Sequence, residues 1–584
     1  MAPSQNTLGN PIPAFTEHAI SVSLPKWVDN VGYEEGEARV VDVMQSGYPR
    51  FFIHLNIKKL SSLLEQKFGT SSERSLLFPS RKSAEACRAF LAARDVSARV
   101  VQHCISDNLC IFLVLFLEDK FSIAKQFWQH TGLGVSSRLA TQCLAALTLA
   151  ASPPSTPTHL KPMAHRHYAS KSSRYTPNGA QPLETDQAVY LEERYGRNLD
   201  VALAKKAKGA LRRRIAGVLV RDESAINGEV EVTQSVRGVA ITEHDVFLFP
   251  TGMSAIWSAH QLALDVRGDK KSVCFGFPYT DTVKVLEKWG PGCYFLGHGL
   301  DSSIDELEEI LEAEQAEHPD EPPILALFTE FPSNPLLRSA DLPRLRALAD
   351  KYDFLIVIDD SIGNFVNVET LPFADIVVTS LTKLFSGDSN VMGGSLVLNP
   401  ARKQYASLRE RLLIRYEDIF YDEDAIFMER NSRNFSRRAA QIDVNAERVC
   451  DFLHAASQKP SSSITDVFYP KWQTAEHYAA RRLPGGGFGG LFSLSFVSQG
   501  AAEAFYDALA CDKGPSLGTN FTLACPYTIL AHYGELDWAA QYGVPRSLVR
   551  VSVGMEDVSW LDTVFANALR AAEEAYRAEA NAGA

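Results

Sequence analysis

The sequence lacks the cysteine spacing of a metal site or of a disulfide scaffold. Its 584 residues include nine scattered cysteines, and no two of them stand at C-x-x-C spacing. Scattered cysteines are typical of reduced, buried thiols in a cytosolic protein. We therefore expect no metal and no structural disulfide, and we predict a cytoplasmic location, with the nucleus as a second location beside it.

The sequence also lacks a long apolar run and an excess of basic residues. The longest apolar run, CIFLVLFL at 110–117, is too short to span a bilayer, which takes about 20 residues. The start, MAPSQNTLGNPIPAF, has no basic region followed by an apolar core, so we do not expect a secretory signal. The net charge of −12 argues against nucleic acid or a membrane as a partner.

The length predicts two or three domains, and the sequence pattern changes along the chain. Residues 1–150 mix helical and strand-like segments, among them FFIHL at 51–55 and the CIFLVLFL run, both predicted as strands. Residues 151–184 begin with a Pro-, Ser- and Thr-rich stretch without Asp or Glu, which predicts a flexible linker. The role of the N-terminal domain, 1–150, is not indicated by its residues.

The remainder of the chain predicts an α/β fold in two parts. Across residues 185–400, short apolar runs such as SVCFGF, ILALFTEF and FLIVID alternate with helical segments, which indicates a large, mostly parallel sheet. Residues 401–584 contain long helices, then two separated strands, LFSLSF and LVRVSVG, and a closing helix. This pattern predicts a smaller C-terminal α+β domain.

Two residues carry the strongest chemical signal. Asp359 ends the apolar run FLIVID, and Lys383 follows the run DIVVTS. Side chains at the carboxyl ends of parallel strands open into the crevice where α/β sheets bind ligands. A lysine and an acid placed there fit a pyridoxal phosphate enzyme: the amine forms a Schiff base, and the carboxylate keeps the pyridine nitrogen protonated.

Other interpretations of these segments stay open at this point. A lysine at a strand end is often a solvated charge, and an acid after a strand is often a helix N-cap. Ser380 and Lys383 also form S-x-x-K, but the partner S-D-N and K-T-G motifs of β-lactamases are absent from the sequence. The run PGGGFGG matches G-x-G-x-x-G, but a predicted strand follows it, so a dinucleotide site is not expected.

The segment FPTGMSAIWSAHQLAL predicts a strand, a turn and a helix. Backbone amides at such a helix start bind phosphate, and Gly252 permits a close approach. An ordinary N-capped helix explains the segment equally well. A phosphate-binding turn is therefore one of two interpretations that the residues alone allow.

Several segments, in the same order, resemble the Cys/Met-metabolism family of pyridoxal phosphate enzymes, which has fold type I. They are TGMSAI, TEFPSNPLLRSADL, TSLTKLFSGDSNVMGG and VRVSVGMED, and the resemblance covers 185–575. The N-terminal segments YPRFFIHLNIKKL and LLFPSRKSAE resemble the long N-terminal region of the fungal cystathionine γ-synthases. The resemblance implies a fold type I transferase preceded by an extra N-terminal α/β domain.

The resemblance also assigns roles to individual positions. Lys383 is implied as the Schiff-base lysine, Asp359 as the pyridinium partner, Tyr279 as the residue that stacks on the cofactor ring, and Ser516 as the residue that orients the lysine. The implied phosphate ligands are Ser380, Thr382, the amides of Gly252 and Met253, and, reaching the neighbouring subunit, Tyr195 and Arg197. The implied substrate ligands are Asn334 and Arg550, with Arg550 gripping the α-carboxylate.

The sequence departs from the family pattern in two segments. SLGTNFTL has Phe521 where a glutamate is common, and YTDTVK has Lys284 in place of an arginine. We expect both changes to alter the substrate pocket and to leave the cofactor site intact. Lys284 stands at the family position that can pair with a distal carboxylate on a succinylated donor.

The resemblance implies γ-replacement in transsulfuration and methionine biosynthesis. An O-acetyl- or O-succinyl-homoserine loses its acyl group, and cysteine adds to give cystathionine. A related γ-substitution with sulfide or a carbon nucleophile, and a lyase reaction with water, are the alternatives, while a non-enzymatic scaffold is disfavoured by the intact site residues. The implied partners are small amino-acid substrates and further copies of the chain, as a dimer or tetramer with shared active sites.

Overall fold

A computed structural model describes residues 7–106, 109–151, 203–221 and 229–582. Apart from residue 151, the predicted linker lies outside the described residues, and so do Tyr195 and Arg197. The predicted domain bounds stay predictions. Among the helices of the described residues, none is both long and apolar enough to cross a membrane.

The N-terminal part is built on a three-stranded antiparallel sheet. Its strands, in spatial order, are Glu73–Phe78, Leu109–Leu117 and Ala98–Ser106, so the strand predicted for the CIFLVLFL run is confirmed and is central. A two-stranded sheet pairs Pro11–Ile12 with Ser21–Val22. The helices are Trp27–Glu34, Ala38–Val41, Leu55–Phe68, Arg81–Ala92, Phe121–Thr131 and Ser137–Ala151.

The strand predicted at FFIHL is wrong. Residues 51–54 lie in a turn and an extended link, and a helix begins at Leu55. The ring of His54 accepts a hydrogen bond from the Asn56 amide and so caps that helix. A capping side chain satisfies a free amide of the first turn. This local bond explains why an apolar run of strand-like composition leads into a helix.

The prediction that all the cysteines are reduced is wrong for one pair. Cys104 and Cys110 form a disulfide with an S–S distance of 2.01 Å. The two residues face each other across neighbouring antiparallel strands, which brings their Cα atoms to 3.9 Å. The spacing of six residues predicts no such contact until the two strands are known to pair.

The central sheet has seven strands, and its order confirms the predicted α/β fold. From one edge to the other, the strands are Cys293–Leu296, Ser272–Phe275, Ala326–Glu330, Leu355–Asp359, Ile376–Ser380, Gly394–Leu398 and Val246–Phe249. The first five are parallel, and Gly394–Leu398 runs antiparallel to both of its neighbours. Such strands are buried on both faces, which accounts for their unbroken apolar composition.

Helices cover the central sheet on both faces. They are Gly252–Arg267, Thr280–Lys288, Asp301–Glu317, Leu342–Tyr352 and Tyr405–Arg415. Before them in the chain come the helix Ala204–Ala216 and a small hairpin that pairs Leu219–Arg221 with Glu229–Glu231. Two separate buried clusters, one containing Leu327 and Ile358 and the other containing Leu325 and Val357, form the cores on the two faces.

The C-terminal part has a five-stranded sheet with helices. Its strands, in order, are Ile464–Phe468, Leu491–Phe496, Val549–Ser552, Leu523–Pro526 and Asp512–Lys513, which confirms both predicted strands. Its helices are Asp422–Ser432, Phe435–Ser457, Ala475–Arg481, Gln499–Ala508, Tyr527–His532, Leu536–Gln541 and the closing Val558–Ala582.

The N-terminal part packs directly on the central sheet domain and on the C-terminal helix Asp422–Ser432. Trp289 stacks on Phe90 with a centroid distance of 4.8 Å, and its indole N–H donates to His130 Nδ1 at 3.1 Å. Arg138 forms a buried ion pair with Asp424, 3.0 Å between the charged atoms. A buried pair is costly to break because each partner is left as an uncompensated charge. These contacts hold the N-terminal part against the rest of the fold.

Candidate active site

A cavity opens at the carboxyl ends of three neighbouring parallel strands. The strands end at Glu330, Asp359 and Ser380, and all three residues line the cavity. This is the position at which open α/β sheets bind ligands. The sequence prediction that Asp359 lies at such a strand end, in the same cavity as Lys383, is confirmed by this arrangement.

Lys383 projects its amine into the cavity, three residues beyond the strand Ile376–Ser380. Lys383 Nζ lies 3.1 Å from Ser516 Oγ and 3.2 Å from the hydroxyl of Tyr48. Burial lowers the pKa of Lys383, while the bond to Tyr48 acts in the opposite direction. A lysine with a lowered pKa holds a larger unprotonated fraction near neutral pH and is a better nucleophile.

The backbone around Ser516 is shaped for contact with the lysine. Ser516 has a φ of 98°, a conformation that side-chain-bearing residues rarely adopt and that is concentrated at functional sites. Two residues on, Gly518 has a φ of 68°, and a Cβ there would lie 2.9 Å from Lys383 Cβ. A glycine is therefore needed for this loop to approach the lysine backbone.

Glu330 is a site residue to which the sequence analysis gave no role. Its carboxylate oxygens accept hydrogen bonds from the amides of Tyr279, at 2.6 Å, and Asn334, at 2.9 Å. Burial, then the neighbouring charge of Asp359, raises the pKa of Glu330 to about 8. The quoted segment TEFPSNP contains this acid, but only strand pairing reveals that it lies opposite Asp359.

Asp359 is the second carboxyl group of this pair. One of its oxygens accepts a hydrogen bond from the Ser361 amide at 2.9 Å. Burial raises the pKa of Asp359 to about 6, and the bonds from Ser361 and the charge of Lys383 act against that rise. A carboxylate in this environment gains from a cationic partner, because the opposite charge favours its ionised form.

The predicted phosphate-binding wall is assembled at the start of the helix Gly252–Arg267. Thr251 caps the helix by accepting from the Ser254 amide at 3.0 Å, while Gly252 and Met253 line the cavity. A Cβ at Gly252 would lie 2.8 Å from Ser380 Cβ, so the close approach of the two segments requires glycine. The N-capped helix is observed in this segment, and phosphate binding at its start stays a prediction. Ser380 and Thr382 line the cavity as well, and the Thr382 hydroxyl also bonds the backbone of Gly393.

Arg550 and Asn334 form one polar unit next to the cavity. The buried guanidinium of Arg550 donates to Asn334 Oδ1 at 3.0 Å and to the Ser516 carbonyl at 2.9 Å. Asn334 lines the cavity, whereas Arg550 lies behind it on the strand Val549–Ser552. The arrangement brings together three residues that the resemblance assigned to substrate and lysine.

Tyr279 and Lys284 flank the same helix start but differ in placement. Tyr279 lines the cavity and precedes the helix Thr280–Lys288. Lys284 lies one turn into that helix, where its amine donates to Thr280 Oγ1 at 3.2 Å. Among the described residues that line the cavity, neither Lys284 nor Phe521 is present. The two departures from the family pattern therefore lie outside this cavity wall.

Tyr48 and Arg50, from the N-terminal part, also line the cavity. In the sequence, YPRFFIHL indicates only a resemblance to fungal enzymes, and no role was predicted for these two residues. A signal was present in the sequence, because Tyr48-Pro49-Arg50 repeats the Y-x-R pattern of Tyr195 and Arg197. The repeat alone does not place Tyr48 in the site. That placement depends on the contact of Tyr48 with Lys383, 335 residues away, which no local pattern predicts.

The donor set of the cavity fits pyridoxal phosphate. Lys383 would supply the amine for the aldehyde, and Asp359 would supply a carboxylate for the pyridine nitrogen. Gly252, Met253, Ser380 and Thr382 form a wall of amides and hydroxyls at a helix start, where phosphate binds. The wall is so closely built that a Cβ at Gly252 would collide with Ser380.

Comparison with known proteins gives matches over nearly the whole chain. A family model described as Cys/Met metabolism PLP-dependent enzyme matches residues 242–570, and one described as fungal trans-sulfuration enzyme, N-terminal domain, matches 56–136. The cystathionine gamma-synthase-like enzyme iboG2 of Amanita muscaria is 52% identical, with 97% of each chain covered. The cystathionine gamma-synthase of Neurospora crassa is 43% identical over 97% of this chain and 98% of that protein.

One of the similar solved structures is cystathionine gamma synthase from Xanthomonas oryzae in complex with cystathionine. It is 21% identical, with a TM-score of 0.49, and the match covers 65% of this chain and 100% of that one. The family model spans more than half of the chain, and the relatives are similar throughout it. The chain therefore belongs to the Cys/Met metabolism family of pyridoxal phosphate-dependent enzymes.

Proposed function

We propose that the enzyme catalyses γ-replacement. An O-acylhomoserine loses its acyl group, and cysteine adds to give cystathionine. O-acetylhomoserine is the donor that we propose first. The observation that carries the proposal is the grouping of Lys383, Asp359 and the Asn334–Arg550 unit around one cavity. A base, a pyridinium partner and a carboxylate ligand are the groups that chemistry at Cα and Cγ of an amino acid requires. The names of relatives such as the Neurospora crassa enzyme support the same reaction.

Each of these residues has a defined task in the proposed reaction. Pyridoxal phosphate, when bound, supplies a ring that withdraws electrons from Cα of the substrate. Lys383 Nζ takes the proton from Cα, and the lowered pKa of Lys383 increases the unprotonated fraction of the amine that this step requires. Ser516 holds the amine in place through the 3.1 Å contact with its Oγ.

The substrate is oriented by the polar unit behind the cavity. Arg550 binds the α-carboxylate, because a planar guanidinium makes two parallel bonds to a carboxylate. Asn334 Oδ1 and the Ser516 carbonyl hold the guanidinium in position. This link ties the carboxylate ligand to the residue that holds the lysine amine.

The proposal is tested by product analysis with competing acceptors. The purified enzyme is loaded with pyridoxal phosphate and given O-acetylhomoserine or O-succinylhomoserine with cysteine, with sulfide or with water alone. Cystathionine is the expected main product when cysteine is present. Formation of an α-keto acid and ammonia at the same rate with and without cysteine would show that the enzyme is a lyase.

The similarity to iboG2, which exceeds that to the Neurospora crassa enzyme, favours a second candidate function. iboG2 is named a cystathionine gamma-synthase-like enzyme, a name that specifies no nucleophile. The second candidate is a related γ-substitution with a nucleophile other than cysteine. Sulfide and a stabilised carbon acid are the two classes that we consider. Product analysis with a panel of carbon acids, each at the concentration used for cysteine, separates the second candidate from the first.

A further inference from the structure

The segment Gly47–Arg50 forms one wall of the active-site cavity. It lies outside regular secondary structure, between the helices Ala38–Val41 and Leu55–Phe68. Both Tyr48 and Arg50 line the cavity, on the same chain as Lys383. An irregular segment that reaches so far into another part of the fold needs specific contacts to hold it there.

Tyr48 makes two contacts with the amine of Lys383. Its hydroxyl lies 3.2 Å from Lys383 Nζ, and its ring centroid lies 4.5 Å from the same nitrogen. The first contact is a hydrogen bond, and the second is a cation–π contact with the ammonium form. Tyr48 and Ser516 therefore both contact the amine.

Arg50 anchors this segment to the rest of the site. Its guanidinium forms a buried ion pair with Asp281 and donates to the Gln129 carbonyl, and its Nε lies 3.4 Å from the Tyr279 hydroxyl. A buried ion pair fixes position because neither charge can leave without the other. The link joins the helices Phe121–Thr131 and Thr280–Lys288 to the segment that carries Tyr48.

A further contact connects the N-terminal part to the phosphate-binding wall. Ser254, in the first turn of the helix Gly252–Arg267, donates to the Gly132 carbonyl at 3.1 Å. Gly132 has a φ of 62°, and a Cβ there would lie 2.1 Å from Thr251 Oγ1. The N-terminal part thus reaches both the lysine and the helix start of the proposed cofactor site.

We propose that Tyr48 is a further catalytic residue, supplied by the same chain as Lys383, which exchanges a proton with the lysine amine. The proton moves along the 3.2 Å contact from Nζ to the phenolate oxygen, or back, and no other bond is made or broken. The tyrosine ring covers the amine and limits the access of water. The N-terminal extension is then part of the catalytic site and not only a structural addition.

The charges around Tyr48 support this role. Burial opposes ionisation of Tyr48, but the positive charges of Lys383 and Arg50 outweigh it and lower the pKa, with Asp281 acting against them. Tyr279 faces the same Arg50, yet burial raises its pKa well above the usual value. Neighbouring groups whose pKa values are pushed apart take different roles in acid–base chemistry. Tyr48 is the more acidic phenol and lies next to the amine.

The inference rests on the proposed function only for the identity of Lys383 as the cofactor lysine. It does not depend on which acceptor the enzyme uses. Its test therefore measures the lysine itself, so that a failure of cystathionine formation and a failure of the Tyr48 role give different results.

The main test uses the full-length enzyme loaded with pyridoxal phosphate. The visible absorption of the cofactor bound at Lys383 is titrated with pH in wild type and in Tyr48→Phe, which keeps the ring and removes the hydroxyl. Because Tyr48 stabilises the protonated nitrogen, we expect the variant's midpoint to lie about one pH unit lower or more. Tyr33→Phe is the matched control, since Tyr33 packs against the separate apolar cluster that contains Val22 and Val40, away from the cavity. The control should titrate like wild type.

A second measurement covers the case in which Tyr48→Phe binds the cofactor poorly. In the cofactor-free enzyme, the acylation rate of Lys383 is measured against pH by peptide mass spectrometry. The same downward shift of the midpoint is expected, with the circular dichroism spectrum unchanged. A midpoint of Lys383 that equals wild type in either titration, together with an unchanged kcat and kcat/KM, would overturn the proposal.

Discussion

Glu330 lies directly opposite Asp359 at the carboxyl ends of two neighbouring parallel strands. Burial and this neighbouring charge raise the pKa of Glu330 to about 8, and burial raises that of Asp359 to about 6. Two carboxyl groups in such proximity do not both ionise readily. Of the two carboxyl groups, Glu330 therefore holds its proton to the higher pH in the cofactor-free protein.

This relationship predicts how stability depends on pH. The pKa of Glu330 is about 8 in the folded protein against a usual value of 4.5, so the folded state binds the proton more tightly. The free energy of unfolding therefore falls as the pH rises from about 4.5 to about 8, by about 1.4 kcal/mol for each unit of pKa difference. Glu330→Gln should make this fall smaller, because the amide does not ionise.

Urea unfolding of the cofactor-free enzyme, at pH values about one unit apart between pH 5 and pH 9, measures the free energy of unfolding as a function of pH. The exposed Glu309→Gln is the control and should follow wild type at each pH. Parallel pH profiles for wild type and Glu330→Gln would contradict the assignment of the proton to Glu330.

Gly252→Ala should weaken cofactor binding. The added Cβ would lie 2.8 Å from Ser380 Cβ, so the helix start must move away from the strand end. We expect the dissociation constant for pyridoxal phosphate to rise about tenfold or more, which corresponds to about 1.4 kcal/mol. Gly209→Ala is the control, because a Cβ there meets nothing within 4 Å. Absorbance titration of the two cofactor-free variants with pyridoxal phosphate decides the matter.

Lys383→Ala should fold but hold no covalently bound cofactor. Both the covalent attachment and the proton transfer at Nζ are lost, so turnover should fall by several orders of magnitude. Borohydride reduction followed by peptide mass spectrometry checks the attachment. A reduced cofactor adduct on another lysine of this variant would refute the assignment.

Complementation distinguishes residues supplied within a chain from those supplied by a neighbour. Arg197 is proposed to reach a neighbouring subunit, whereas Tyr48 contacts Lys383 of its own chain. Hybrids of Arg197→Ala with Lys383→Ala chains should therefore regain activity, because one site obtains both intact groups. Hybrids of Tyr48→Ala with Lys383→Ala should not, because each site lacks one of the two.

The two mutated chains carry different affinity tags, so that purification on both tags isolates the hybrids. The kcat of each purified hybrid is then measured. No activity in the purified Arg197 hybrid would count against a shared site. Activity near half of wild type in the Tyr48 hybrid would show that Tyr48 also acts across subunits.

The effects of replacing Arg550 and Lys284 on kcat/KM should depend differently on the acyl donor. Arg550 is buried and bonded to Asn334, and loss of a buried charged partner costs about 2–5 kcal/mol. Arg550→Ala should therefore lower kcat/KM roughly 100-fold or more for every donor. Lys284 bonds Thr280 away from the cavity lining, so Lys284→Ala should have little effect on O-acetylhomoserine.

Measurement of kcat/KM for the acetyl and succinyl donors in both variants tests this pair. The larger effect of Lys284→Ala is expected with O-succinylhomoserine. A donor-selective loss at Arg550, or a large loss with the acetyl donor at Lys284, would show that the substrate is oriented differently.

The parts of the site that the sequence predicts are those encoded by local pattern. Asp359 ends an apolar strand, and Gly252 begins a helix shortly after a strand, so their positions follow from strand composition and turn chemistry. Lys383 has no such regular position, but the resemblance of its segment to the family identifies it. Each of these residues can be recognised from a short stretch of the sequence around it.

The parts that the sequence does not predict depend on contacts between distant segments. Glu330 gains its raised pKa from a partner on another strand. Tyr48 and Arg50 belong to a segment that was predicted to lead into a strand, whereas the bond of His54 to Asn56 starts a helix there. Cys104 and Cys110 meet because their strands pair. In each case, tertiary packing decides the outcome.

The bond between Tyr48 and Lys383 also has a consequence for the order of folding. It joins residues 335 positions apart, so its loop is closed at a large entropic cost that the sheets on either side must first offset. We therefore expect this part of the cavity wall to form late, after the strands that carry Asp359 and Ser380 have paired.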